Sequence, residues 1–436
     1  MGLNRAKNLL VLASAILFIA SCGGGGDSTP QTIGLSAATV TPSEAQLSWT
    51  PSADSVIGYD LYRNGVAVWD THLSGTSFTD RKLEPNSRYC YIVYAVSWIG
   101  ITGKSNEACI TTEGTAGWNI ETIGNGSDPS LVLDSSNQPH VSYLISVRVV
   151  LAYKSGGVWQ QDAINNNAGN YGDTSLRIDS QGANQLSYYD ATNTNLMHAS
   201  NLNGVWTSEI ADTSGGYVNA LILDSSNNAH IAFNSIEGTS SGVISYTTNV
   251  TGSWQKVRLA GYSNATISSA AIALDSNGVV HIVITTRGID CYVHHFSNPG
   301  GNWQEEIIAS DCNYGATIAI DSTDHLHIAY TSKFGLQHVY NSNGSWQSEQ
   351  VDSFSWIGGN RVSMVIDSTD HLHIAYSDSN QDLKYITNLS GAWQNYFIDC
   401  IGNVGANPSI AIDANGRVSI AYEDTTNGTV KLAVSP

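Results

Sequence analysis

The sequence predicts an all-β chain, and three observations lead there. Tyr, Trp, Thr, Val, Ile, Ser, Asn and Gly dominate, helix signals are scarce, and the apolar fraction of 42% is that of a globular protein. The run Ile366-Asp367-Ser368-Thr369-Asp370-His371-Leu372-His373-Ile374-Ala375-Tyr376 nearly copies Ile320 to Tyr330, and looser copies recur across most of the chain. The partial units at the two ends of the repeated region add up to one whole unit. At 436 residues the chain is too long for one small core, so it divides into domains.

The first thirty residues read as an export signal. Arg5 and Lys7 are the positive region, and Leu9 to Ala20 is an apolar run too short for a mature spanning helix. Ile19-Ala20-Ser21-Cys22 resembles a bacterial lipobox. The resemblance implies a signal peptide over 1–21, lipidation of Cys22, and a Gly-rich tether over 22–32. A membrane is then a partner through the lipid, and the location is the bacterial cell envelope. Gly23 after the cysteine implies the outer membrane under enteric-type sorting. The competing reading is an ordinary signal peptide with a stray cysteine. Net charge is −19, and −21 without Arg5 and Lys7, which argues against nucleic acid as a partner.

Residues 33–113 form the first folded unit. Gln46-Leu47-Ser48-Trp49 reads as a strand with Trp49 in a core, and Gly58 to Arg63 alternates before turning at Asn64-Gly65. Leu83-Glu84-Pro85-Asn86-Ser87-Arg88-Tyr89 has the spacing of a tyrosine corner. The segment resembles a fibronectin type III domain. That resemblance places Cys90 and Cys109 on the last two strands, where an exported protein can keep a disulfide. It implies a spacer or adhesive module without catalysis.

Residues 117–436 repeat seven times. The anchors are Asp134, Asp179, Asp224, Asp275, Asp321, Asp367 and Asp413, spaced 45 to 51 residues apart. A tryptophan recurs with them: Trp118, Trp159, Trp206, Trp254, Trp303, Trp346 and Trp393. Each unit holds four short apolar runs, in the sixth Val362–Ile366, Leu372–Tyr376, Leu383–Ile386 and Ala392–Ile398. Four strands in about 46 residues is the size of one propeller blade. The region opens with a lone strand, Trp118 to Ile123, and closes after three, ending Val430 to Val434. A seven-bladed β-propeller closed by pairing its first and last strands follows, leaving no open edge. The units resemble those of uncharacterised secreted bacterial propellers and, more distantly, sialidase and lectin propellers. The Ser-x-Asp-x-Gly-x-x-Trp box of sialidases is absent, so no catalytic set carries over.

Five units couple the anchor to a histidine six residues on: Asp134/His140, Asp224/His230, Asp275/His281, Asp321/His327 and Asp367/His373. Such groups could bind metal or shuttle protons. Five pairs spread around a ring cannot serve one site, and Gln185 and Ser419 replace the histidine elsewhere. A hydrogen bond across each first hairpin is therefore the expected role, and no metal or cofactor is expected. The tryptophans are expected to pack between blades. Cys291 and Cys312 could brace adjacent loops with a second disulfide, leaving Cys400 unpaired unless the pairing differs.

What differs between units marks the ligand face. Loops before the inner strands carry Tyr171, Tyr217, Tyr262, Tyr314 and Trp356, and Arg287 and Arg361 fall on the same face. So do Arg148, Asp190, Asp290, Lys333, Asp378, Asp382, Glu423 and Asp424. Aromatic faces beside acids and amides suit sugar rings, so the expected partner is a glycan or a protein, without catalysis. One alternative is a polysaccharide lyase, drafting Arg148, His294 or His295 with these groups. A glycosidase would use a carboxylate pair among Asp190, Asp378 and Glu423. The other alternative is a scaffold within an envelope complex.

Overall fold

The computed structural model describes residues 33–436 apart from 53–54, 70, 166–171, 238–239, 343 and 354–360. Cys22, the tether and the leader therefore lie outside the described residues. Those described form strands, with two short 3-10 turns at Leu202–Gly204 and Pro299–Gly301.

Two sheets make up the N-terminal part. Leu35–Thr41, Glu44–Trp49 and Ser77–Asp80 form one. Val66–Ala67, Gly58–Arg63, Arg88–Ser97 and Gly100–Lys104 form the other, with Ala108–Thr111 paired to Arg88–Ser97. Glu44–Trp49 alternates buried and exposed, which puts Leu47 and Trp49 inside. Trp49 meets Tyr59 of the second sheet edge to face, 5.6 Å between ring centres. The Glu84 amide donates to the Tyr89 hydroxyl at 2.9 Å, fixing the turn before the long strand. Cys90 and Cys109 are disulfide-bonded.

From Asn119 onward the described strands form seven four-stranded antiparallel sheets. The first is Ser127–Leu133, Pro139–Ile145, Arg148–Ser155 and Val158–Asn165. Five more follow with the same up-and-down order. The seventh takes Val404–Ile412, Val418–Asp424 and Thr429–Val434 from the end of the region and Asn119–Asn125 from its start. Val434 pairs with Asn119 and Thr429 with Asn125. The leading strand of each sheet touches that of the next, and Val404–Ile412 touches Ser127–Leu133. The leading strands thus form a closed cycle, and residues from all seven line one cavity of about 550 Å³.

The turn after each leading strand is built identically. Oδ1 of Asp134 accepts from the amides of Ser136 and Gln138, both at 2.8 Å. Asp179, Asp224, Asp275, Asp321, Asp367 and Asp413 do the same for the residues two and four positions on, at 2.7 to 2.9 Å. The carboxylate satisfies turn amides that have no ladder partner, as an Asx turn does. Neighbouring turns are linked where the third residue after the anchor can accept. Ser276 meets Asp324 and Ser322 meets Asp370 through backbone and hydroxyl donors, while the Ser180 amide donates to Asn227 Oδ1 and Asn227 Nδ2 donates back to the Ser180 hydroxyl.

The expected Asp–His hydrogen bond needs correction. The carboxylate and imidazole do face each other, but at 3.7, 3.5, 3.8 and 3.6 Å for His140, His230, His281 and His327. Only His373 comes within hydrogen-bond reach of its anchor, at 3.3 Å. The anchor's other oxygen is already held by the turn. The histidines spend Nδ1 elsewhere: His230 and His373 on the hydroxyls of Tyr246 and Tyr385, His281 and His327 on His295 and His338.

Between sheets the cores are apolar and each takes one tryptophan. Trp254 packs on His198, Trp303 on Tyr246, Trp346 on His295, Trp393 on His338 and Trp118 on Tyr385, with ring centres 5.1 to 5.6 Å apart. In each of these pairs the tryptophan opens the outer strand of one sheet and its partner lies on the third strand of the sheet before. Serine hydroxyls tie the leading strands together. Ser130, Ser175, Ser363 and Ser409 accept from the amides of Leu176, Leu221, Ile410 and Leu131 at 2.9 to 3.2 Å.

Replacing Asp367 with Ala should lower unfolding free energy by about 1–3 kcal/mol, since two turn amides lose a charged acceptor. His373→Gln should cost less, because Gln185 already fills that place in the second sheet and donates to Asp179 at 2.9 Å. Urea melts of the two variants check the order; equal losses would contradict the turn account.

Candidate functional site

One end of the cavity carries the anchor turns, which are alike in every sheet. The other end begins six residues before each anchor, where the chain supplies Asp128, Asp173, Val218, Ser269, Gly315, Arg361 and Asn407. Four of these, Asp128, Asp173, Arg361 and Asn407, form a polar cluster at the mouth, and all four line the cavity.

Local sequence explains how they get there. Asp128-Pro129 and Asn407-Pro408 put a residue without an amide proton where the ladder would need one. The register shifts between Ser127 and Ser130 and between Ala406 and Ser409 absorb it. Asp128 and Asn407 then adopt φ of 54° and 48°, a left-handed conformation that Asp and Asn tolerate best after glycine. Asn407 Nδ2 donates to Asp128 at 2.8 Å and to Glu423 at 3.2 Å.

Arg361, leading into the sixth sheet, pairs with Asp173, leading into the second. Two other sheets separate these on one side of the cycle and three on the other, so the ion pair crosses the mouth. Asp173 is 6% exposed. Burial raises its carboxyl above the usual range, and Arg361 offsets only part of that. Burial opposes the Arg361 charge too, but Asp173 and Asp128 more than offset it. Burial, with Asp128 nearby, also pushes Glu423 up. Asn219 Nδ2 donates to the Asp173 carbonyl at 2.8 Å and fixes that backbone. Three carboxylates, one guanidinium and one amide thus converge on a partly dehydrated opening.

The residues expected on this face are distributed unequally. Arg361 is at the mouth. Arg287 is exposed and lies over the ring of Tyr314, 3.9 Å from its centre, beside the disulfide of Cys291 and Cys312. Tyr217 and Tyr314 sit within the leading strands Gly215–Leu223 and Cys312–Ile320 rather than in loops, because bulges carry those strands further out. Tyr217 meets Tyr189 edge to face. Tyr262 is not offered to a ligand: its hydroxyl donates to Glu305 at 2.6 Å and its ring lies on His294. Tyr171 and Trp356 lie outside the described residues. Asp128, Asp173 and Asn407 were not singled out from sequence; comparing the sixth position before every anchor would have found them.

Groups drafted for catalysis have other work. Asp190, Asp378 and Asp424 cap their own second hairpins through backbone amides at 2.9 to 3.0 Å. His294 is held among Thr286, Glu305 and Tyr262 inside its sheet. His295 bonds His281. No anchor aspartate or repeat histidine lines the cavity. Cys400 is buried and unpaired, and burial with Asp382 and Asp399 nearby pushes its thiol far up.

Comparison with known proteins places part of the chain. Residues 28–111 match the fibronectin type III domain family. Residues 33–111 of the sandwich are a fibronectin type III domain. Over 94 residues the chain is 39% identical to exoglucanase B of Cellulomonas fimi, which is 20% of this chain and 8% of that enzyme. The chain therefore spans less than a tenth of that relative. An ulvan lyase from a new polysaccharide lyase family is similar at 13% identity and TM-score 0.48, over 72% of this chain and 95% of the lyase. SapL1 lectin, solved with α-methyl fucoside, is similar at 13% identity and TM-score 0.45, over 63% of this chain and 96% of the lectin.

The histidines form radial chains through the sheets. Asp321, His327, His338 and Glu349 follow one another across all four strands of the fifth sheet, at 3.6, 3.0 and 2.9 Å. Asp275, His281, His295 and Glu306 repeat the arrangement in the fourth. Burial lowers His198, His230, His281, His294, His295, His327, His338 and His373, and with His281 beside it pushes His295 down to about 4. Below about pH 6.5 the unfolded chain takes up protons that the folded chain refuses, so these groups stabilise above that pH and the gain is lost as pH falls. The raised carboxyls of Asp173, Asp378, Asp382 and Glu423 act in the opposite sense and are fewer, four against eight imidazoles. Thermal melts between pH 7.5 and 5 should show falling stability. His338→Gln should flatten the slope by up to about 1.4 kcal/mol per pH unit; an unchanged slope would remove the histidines from the account.

Proposed function

We propose that the chain is a lipid-anchored protein of the bacterial cell envelope, with a seven-bladed β-propeller over 117–436 that binds a saccharide at the mouth of its central channel. The domain order is a signal peptide at 1–21, a tether at 22–32, the fibronectin type III unit at 33–113 and the propeller. The closed cycle of leading strands, with Asn119–Asn125 completing the seventh sheet, supports the blade count.

The observation that carries the binding reading is the Arg361–Asp173 pair thrown across the mouth, with Asp128, Asn407 and Glu423 around it. Saccharide hydroxyls donate to carboxylates and accept from guanidinium and amide groups, so this cluster matches their chemistry. The Arg287–Tyr314 stack adds an exposed planar surface on the same face. The lyase and glycosidase readings have less support. Their histidines lie within the sheets, and Asp190 and Asp378 are committed to turn amides.

A glycan and polysaccharide array probed with the chain begun at Asp27 tests this directly. Binding to at least one saccharide is expected, weakened tenfold or more by Arg361→Gln and little changed by Arg148→Gln. Silence across the array, or an Arg361→Gln variant that binds like the parent, would sink the proposal. For the anchor, Cys22→Ser should move the protein from the membrane fraction to the soluble one.

A further inference from the structure

The position two before each anchor has a fixed task in six sheets. Val132, Ile222, Ala273, Ala319, Val365 and Ala411 pack against the leading strand of the next sheet, beside Leu176, Ile272, Ile318, Met364, Ile410 and Leu131. The second sheet has Arg177 there. By the same register Arg177 falls at the boundary with the third sheet, whose Leu221 and Leu223 belong to an apolar cluster. It also lines the central cavity.

A guanidinium in that layer is expensive unless its charge is answered. Among the described residues it makes one hydrogen bond, from Nη1 to the Leu176 carbonyl at 2.7 Å. No described carboxylate pairs with it. Burial alone pushes Arg177 down to about 10, with no acid pulling the other way. The nearest acid along its own strand is Asp179, two residues on, and its carboxylate is taken by the amides of Gln181 and Ala183 and by the Gln185 side chain. Asp173 lies four residues back, roughly 13 Å in an extended chain. Asp173 is held by Arg361, and Asp128 by Asn407. The fold does not need an arginine here, since six sheets manage with an aliphatic side chain.

The geometry points to a second site inside the channel, distinct from the mouth, where Arg177 binds a small oxyanion. A planar fork of donors suits a carboxylate, sulfate or phosphate group, and a cavity of about 550 Å³ has room for one, free or carried on a single sugar. The ligand is met by the guanidinium on one side and by the serine-lined leading strands around it. This reading stands apart from saccharide binding at the mouth, and neither depends on the other.

The test is calorimetric titration of the full chain in detergent with sulfate, phosphate and glucuronate, with chloride as the control. Saturable binding of at least one oxyanion is expected, weakened tenfold or more by Arg177→Met and retained in Arg361→Gln. Glucuronate alone binding would assign the site to a sugar carboxylate, and sulfate or phosphate binding would assign it to a free oxyanion. Should Arg177→Met fail to fold, Arg177→Lys keeps the charge but loses the fork and should bind more weakly than the parent. Arg177→Met should also be at least as heat-stable as the parent in chloride alone. Absence of saturable binding in the parent, or equal binding in Arg177→Met, overturns the site.

Discussion

Everything in the ring rests on one carboxylate oxygen used seven times. The oxygen of the anchor aspartate takes two amides of a tight turn, and that turn fixes where the leading strand stops and the second begins. With the hairpin set, strand alternation decides which side chains enter each boundary between sheets. The tryptophans and the aliphatic layer then follow as packing. Burial opposes the charge of Asp321 and Asp367, yet the amides and hydroxyls of their turns hold both well below the usual carboxylate range. Those two anchors thus keep their charge through acidification that would neutralise an ordinary carboxylate.

The repeat is legible because its cause is local. An aspartate, the amides two and four residues on, and a fixed distance to the next tryptophan lie within one unit, so periodicity exposes them. The role of the histidine was read less well. Sequence spacing brings His230 and Asp224 together but does not reveal that the carboxylate is already occupied by the turn and the imidazole by Tyr246. Proximity was legible, and the competition for lone pairs was not.

The mouth was harder to read for a different reason. Arg361 and Asp173 meet from sheets that are not neighbours, and nothing periodic relates them. Tyr217 and Tyr314 look like loop residues until the bulged leading strands are seen to extend past them. Tyr262 lies beyond the outer strand Gln255–Gly261, and the acid that claims its hydroxyl comes from the next sheet. Residues that differ between units gather at one end of the cavity, but which of them converge depends on the closing of the cycle.

The pairing of Thr429–Val434 with Asn119–Asn125 joins segments about 300 residues apart. A growing chain can form six sheets as they emerge, but the lone strand at Asn119 waits with bare backbone groups until the last one arrives. Synthesis and folding are therefore coupled through time. The region stays sticky along two edges for as long as synthesis takes, and a chaperone that shields extended edges would protect it during that interval.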